Sequence, residues 1–319
     1  MKYIVTGGAG FIGSHIVEEL VDQRHEVVIL DNFFPGKKEN IQQVLKKKNV
    51  TFVEGSITDM PLLKKVFEGA DGIFHEGAIA SVPRSVADPV ETNDVNLSGT
   101  LNVLVAARDC GVKKMIFASS AAVYGDNPVL PKQESMIPDL LSPYAVSKRA
   151  GEQYCSVFSR LYGVQCTSLR YFNVFGPRQD PLSPYSGVIT KFISSSLSHR
   201  PMVIYGDGLQ TRDFVYVKDV VQANIRAMEK DAKGVYNIAC GMRINLLELA
   251  DMIAEITGSS VPIVFDPPAK GDVRDSVGDI TLAKKSIGYE RNWMVDSNFI
   301  ISAFLKTLNF FRRIFSSQA

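Results

Sequence analysis

Lys2-Tyr3-Ile4-Val5-Thr6-Gly7-Gly8-Ala9-Gly10-Phe11-Ile12-Gly13 is the stretch that decides the fold. Apolar and β-branched residues 3–6 read as a short buried strand, and the glycines that follow stop it at once. Beyond Gly13 the chain reads as a helix with Ile16, Val17 and Leu20 on one face. Strand, glycine-rich turn and helix in that order make an anion site. The turn is tight, backbone N–H groups approach phosphate closely, and helix packs against strand. Gly7, Gly10, Phe11, Ile12 and Gly13 are therefore candidate holders of a dinucleotide pyrophosphate.

Working outward, a second strand over residues 26–30 ends at Asp31. A carboxylate there accepts hydrogen bonds from the adenosine ribose hydroxyls and repels a 2′-phosphate, so NAD is the expected cofactor. Lys37 and Lys38, a little further on, read as a solvated loop. Further short apolar runs at 51–54, 72–75, 114–119 and 165–171 alternate with helical patterns, which is the signature of a parallel sheet covered on both faces. The fold class is α/β, a doubly wound parallel (Rossmann) sheet with a smaller interleaved α+β substrate domain. The sheet domain is expected to take residues 1–173 and 214–240, and the smaller domain 174–213 and 241–319.

A Pro, Gly and Ser-rich stretch at 176–187 marks the change of pattern. It is followed by a helix, a short strand at 202–205 and a turn at 206–208. Residues 296–319 place Ile300, Ile301, Phe304, Leu305, Leu308 and Phe311 at helical intervals and read as a helix packed on the smaller domain.

Composition excludes several classes. Among 319 residues, 35 basic and 34 acidic side chains leave a net charge of +1, too little to attract nucleic acid or an anionic membrane. The four cysteines lie far apart, without a CxxC pair, as in a reduced compartment. The four histidines are too scattered for a zinc site, and no metal is expected. The N-terminus enters a strand without a signal-peptide pattern, and no apolar run approaches the roughly 20 residues of a membrane span. A cytoplasmic protein is expected.

The chemistry centres on Ser142-Pro143-Tyr144-Ala145-Val146-Ser147-Lys148. Ser142 suits a helix cap and Pro143 the first turn. Tyr144 and Lys148, four residues apart, share a helix face. The lysine and a positive nicotinamide ring would lower the phenol from its ordinary value of about 10 and make Tyr144 a general base. A second hydroxyl should come from the end of a neighbouring strand, where open α/β sheets place their ligands. The segment Ser119-Ser120-Ala121-Ala122-Val123-Tyr124-Gly125 supplies Ser120.

With these residues in view, the chain resembles the extended short-chain dehydrogenase/reductase family, at its NAD-dependent UDP-sugar 4-epimerases acting on UDP-glucose and UDP-N-acetylglucosamine. The likeness runs through residues 6–13, 31–32, 94–96, 119–128, 144–148, 169–177, 205–219 and 271–276, nearly the whole chain. It implies that Tyr144 takes the sugar 4-hydroxyl proton while hydride passes from C4 to NAD, with Ser120 sharing the hydrogen bond. It places Asn32, Ser56, Ile57, Asn96 and Tyr171 on the cofactor beside Tyr144 and Lys148. Ser56 stands where an aspartate is common. It places Asn173, Arg212 and Arg274 on UDP, where the planar guanidinium fork matches phosphate oxygens. Ser276 aligns with a pocket-size gate, and its small side chain implies room for a 2-acetamido group. A homodimer is implied, joined by helices near 96–109 and 144–161, where Cys155, Phe158 and Leu161 face core or partner.

Particular residues argue against other classes. A 4,6-dehydratase needs a further acid and base after the active hydroxyl, where Ala121 and Ala122 stand, and a decarboxylase lacks its acidic neighbour there too. A net dehydrogenase or reductase would consume free cofactor. A non-enzymatic NAD-sensing module has no need of Ser120, Tyr144 and Lys148 together.

Overall fold

The structure, a computed structural model, describes residues 1–180, 187–268 and 273–291. Strands with no polar face must be covered on both sides, and the burial of residues 3–6 and 27–31 shows that they are. The strands are β1 (Lys2–Thr6), β2 (Glu26–Asp31), β3 (Val50–Glu54), β4 (Gly72–His75), β5 (Lys114–Ser120) and β6 (Gln165–Tyr171). With Gly234–Ile238 they form one parallel sheet of 7 strands. Its order is Gly234–Ile238, β6, β5, β4, β1, β2, β3. The chain winds from β1 toward one edge, then restarts at β4 and winds toward the other. The crevice between the ends of β1 and β4 is thus the switch point at which such sheets hold ligands.

Each predicted strand is present, with ends that coincide or move by one residue. After β6 the chain leaves the sheet. Asn173–Phe175 pairs in parallel with Phe214–Tyr216, Met202–Tyr205 with Ile263–Asp266, and Thr211–Arg212 runs antiparallel to Ile244–Asn245. Phe192, Met202, Ile204, Leu249 and Ile253 share a separate apolar cluster in this region. Between these pieces Gly234–Ile238 returns to the large sheet. The amphipathic pattern at 296–319 lies outside the described residues. Among the described residues, no helix is long and apolar enough to cross a membrane.

The helix Pro143–Leu161 lies against β5 and β6. The Ser142 hydroxyl accepts the Ala145 N–H at 3.1 Å, the cap expected from sequence, and Pro143 occupies the first turn. Gly151 lets the helix approach closely, since a Cβ there would lie 2.4 Å from the Phe117 ring. Cys155 and Phe158 are buried in the core, whereas Leu161 is 69% exposed, so only Leu161 of the three points away from the fold.

Glu152, on the same helix, is held beneath the sheet. It accepts from Arg170 Nε at 2.7 Å, from Ser119 Oγ at 2.6 Å and from Arg149 at 2.8 Å. Burial alone would push this carboxyl up, but the Arg170 guanidinium with Ser119 and Arg149 outweighs it and holds it below its ordinary value. Removing one member of a buried ion pair strands the other charge. Glu152→Ala is therefore expected to cost about 3–5 kcal/mol in denaturant unfolding at neutral pH. A carboxyl depressed in the folded state stabilises above its unfolded value and loses that effect as pH falls. The gap between variant and parent should then narrow as pH drops through about 4.

Candidate active site

At the switch point the backbone itself forms the floor. Gly7 has φ +68°, and a Cβ on it would lie 2.7 Å from the Gly77 nitrogen beyond β4. A Cβ on Gly13 would fall 2.3 Å from the Gly7 carbonyl oxygen. The turn therefore packs backbone against backbone, bringing helix α1 (Phe11–Asp22) down onto β1. Gly10 is its N-cap, with no side chain capping it and no acid in the first turn. Open N–H groups and a positive helix end face the cleft, an arrangement that fits a pyrophosphate.

Gly7, Gly10, Phe11, Ile12, Gly13, Asp31, Asn32, Ser56, Ile57, Tyr144, Lys148 and Tyr171 line one continuous cleft. Asp31 is fixed from behind: its carboxylate accepts the Ala9 N–H at 2.9 Å and the Phe33 N–H at 2.7 Å. Burial raises its carboxyl, and those two bonds oppose the rise. Lys37, read as solvated, forms an ion pair with Asp180 at 2.9 Å.

Asn96 departs from expectation. It is 2% exposed and is absent from the cleft lining. Its side chain accepts the Ile79 N–H at 2.7 Å and donates to the Ile79 carbonyl and the Ser147 hydroxyl. These bonds pin the segment behind the cleft wall.

A second cleft adjoins the first, lined by Ser120, Ala121, Ala122, Asn173, Arg212 and Ser276. Tyr144 and Tyr171 line both. The Ser120 hydroxyl is near enough to the Tyr144 phenol to pull it down, and its oxygen accepts the Ala122 N–H at 3.1 Å. Lys148 Nζ donates to the Ala118 carbonyl at 2.7 Å and lies 5.8 Å from the Tyr144 ring centre.

The protein's own groups do not lower the tyrosine. Burial pushes the Tyr144 phenol up, Ser120 pulls it down, and the Glu76 charge pushes it up again. Burial also lowers Lys148 to about 8, with the Glu76 carboxylate opposing. The expected phenolate thus depends on positive charge beyond that of Lys148.

Arg274 also differs from expectation. Its guanidinium meets Asp207 at 2.7 and 3.1 Å, both side chains are half-exposed, and it does not line the second cleft. Its backbone is fixed by bonds to Thr211 and Asp126, and Asp207 is the carboxylate within reach. Arg212 does line the cleft, where its Nη1 donates to the Thr211 carbonyl at 2.9 Å.

Two residues were not singled out from sequence. Glu76 follows β4 directly and lines the first cleft, where its carboxylate accepts from Tyr171 Oη at 2.8 Å. Burial pushes Glu76 up to about 7 against the pull of Tyr171 and Lys148. Its place at a strand end beside the switch point was a usable signal. Lys132 lines the second cleft yet is 1% exposed, and its ammonium donates to the Asn127 carbonyl. Nothing in its sequence setting marks it.

Known proteins match this geometry. Residues 3–239 match the NAD dependent epimerase/dehydratase family. The chain belongs to that family. It is 40% identical over 309 residues to a putative UDP-glucose 4-epimerase of Methanocaldococcus jannaschii, covering 92% of this chain and 99% of that one. The UDP-N-acetylglucosamine 4-epimerase of Methanobrevibacter ruminantium, solved with UDP-N-acetylmuramic acid, superposes with TM-score 0.93 at 40% identity, covering 98% of each chain. The Thermus thermophilus UDP-glucose 4-epimerase, solved with NAD, gives TM-score 0.88 at 37% identity, covering 98% of this chain and 99% of that one. NAD is the cofactor of this family, and the open cradle at Gly7–Gly13 fits it.

Gly7→Ala should disturb that cradle first. A left-handed backbone and a 2.7 Å approach leave no room for a methyl group. NAD retained through purification is expected to fall about tenfold or more, with thermal stability reduced by more than about 1 kcal/mol. Cofactor release by acid and quantitation, beside a melting curve, reads both.

Proposed function

We propose that this protein is a UDP-sugar 4-epimerase that interconverts UDP-N-acetylglucosamine with UDP-N-acetylgalactosamine, and also UDP-glucose with UDP-galactose. The observation that carries the reading is the junction of the two clefts. Tyr144 belongs to both, with Lys148 on the cofactor side and Ser120 on the other.

NAD, when bound, supplies the hydride acceptor and donor for the sugar C4. The phenolate of Tyr144 takes the proton of the 4-hydroxyl and later returns it. Ser120 orients the same hydroxyl, and Lys148 lends positive charge to the phenolate. Arg212 and Asn173, which line the second cleft, are the groups that would hold the diphosphate, while the sugar stays free enough to turn over. Ala121 and Ala122 line the sugar end and cannot move protons, which favours epimerisation over dehydration. Ser276 leaves space beside Arg212 for an acetamido group.

The test is an NMR assay of the purified holoenzyme against these four UDP-sugars, with the bound cofactor released and identified. Interconversion without net NADH supports the proposal, whereas NADH formed in step with sugar consumed would make the protein a dehydrogenase. Ser276→Tyr is expected to abolish turnover of the acetylated pair while the other pair continues. Equal loss of both pairs would refute the assignment of Ser276.

Tyr144→Phe should lower kcat by about 10²–10⁴-fold, the usual worth of a general base. The lysine sets the alkaline limit. Below about pH 8 Lys148 is protonated and supports the phenolate; above it the charge is lost. Turnover should therefore decline as pH rises past that value. Removing the nearby anion with Glu76→Gln should move the decline to lower pH, since Glu76 favours the charged lysine. A profile recorded from neutral to alkaline pH on both proteins checks the direction.

A further inference from the structure

The cofactor cleft is bridged across its mouth. On one side, Phe34, Pro35 and Gly36 extend from the end of β2 and line the cleft. Their loop is fixed at its base, because the Phe33 ring stacks on Phe52 at 5.0 Å and Lys37 donates its N–H to the Ala9 carbonyl at 3.0 Å. On the other side, the helices Val82–Ala87 and Pro89–Asn93 follow β4, and Glu91 lines the same cleft. Since β1 lies between β4 and β2, these elements stand on opposite walls.

Arg84 joins them. Its Nε donates to Glu91 Oε2 at 3.1 Å and its Nη2 to Oε1 at 3.0 Å, so the guanidinium is fixed in plane by a two-pronged bond. Its Cζ lies over the Phe34 ring, 4.4 Å from the ring centre. A phenyl ring 49% exposed at a loop tip has little reason to sit there unless something holds it. The cation stacked on it supplies that hold.

We propose that Phe34, Arg84 and Glu91 form a clasp over the cofactor cleft that slows the release of NAD. The three are positioning residues: they act by keeping the loop closed over the cofactor, not by touching the reacting atoms. A cofactor that leaves a turnover in the form in which it entered need not exchange, and a closed mouth keeps it in place. The clasp rests on the family's use of NAD and holds for any sugar the site takes.

The test measures release directly. Holoenzyme is diluted into an excess of a second dehydrogenase that captures free NAD and reduces it, and the fluorescence of reduced nicotinamide gives the rate. Arg84→Ala and Phe34→Ala are each expected to raise that rate about fivefold, the factor an exposed cation–π contact carries. The double variant should be no faster than either single one, because one contact is lost in all three. Arg84→Lys, which keeps charge but not the fork, should fall between. Melting temperatures recorded alongside separate release from unfolding. Single variants that release NAD at the parent's rate, or a double variant whose factor is the product of the two singles, would overturn the clasp.

Discussion

The structure depends on one close approach of backbone to backbone. Where β1 ends, the Gly7 turn lies against the Gly77 segment beyond β4 and against the start of α1, at distances that exclude a side chain. That contact sets the depth of the crevice at the switch point. It presents bare helix N–H groups to a pyrophosphate, and it fixes the direction in which the rest of an extended cofactor must lie. Asp31 at the end of β2 marks one end of the cleft and Tyr144 with Lys148 the other. The sheet order, by putting β2 on one side of β1 and β4 and β5 on the other, separates those two ends.

Beneath the crevice, buried polar groups are linked by hydrogen bonds. Thr6 Oγ1 meets His75 Nδ1 at 2.7 Å, and His75 Nε2 meets Thr100 Oγ1 at 2.9 Å, linking β1, β4 and the helix Gly99–Asp109. Burial draws His75 down to about 3, with the Lys148 charge acting in the same direction, so the ring is neutral and serves as a hydrogen-bonded strut. Asn96 continues the scaffold to Ile79 and Ser147, and Glu152 with Arg170 anchors Ser119, the neighbour of Ser120. The reactive hydroxyls thus stand on supports that are themselves hydrogen-bonded, with Arg170 Nη1 left without a partner.

The same burial creates the site's electrostatic tension. It raises Tyr144, raises Glu76 and lowers Lys148, each toward its neutral form. A cleft so lined responds strongly to an arriving charge, because few water molecules screen it. The positive ring of an oxidised nicotinamide is such a charge. The reading from sequence, in which lysine and cofactor act together on the phenol, agrees with this direction of the electrostatics.

The sequence by itself determined the parts whose signals are local. The glycine turn, the strand ending at Asp31, the Ser142 cap with Pro143 behind it, and the four-residue spacing of Tyr144 and Lys148 all follow from backbone sterics and helix periodicity, which need only neighbouring residues. The large sheet was legible for the same reason, since a strand covered on both faces cannot hide its apolar run. Tertiary structure alone decided what depended on distant partners. Asn96 is bonded to Ile79 and Ser147 behind the wall, and Arg274 is paired with Asp207. Lys132 was brought to the second cleft by the folding of distant segments that no local pattern records, whereas Glu76 stands at the end of β4. A side chain's hydrogen-bonding capacity is finite, and which partner takes it first depends on distances that only the folded chain sets.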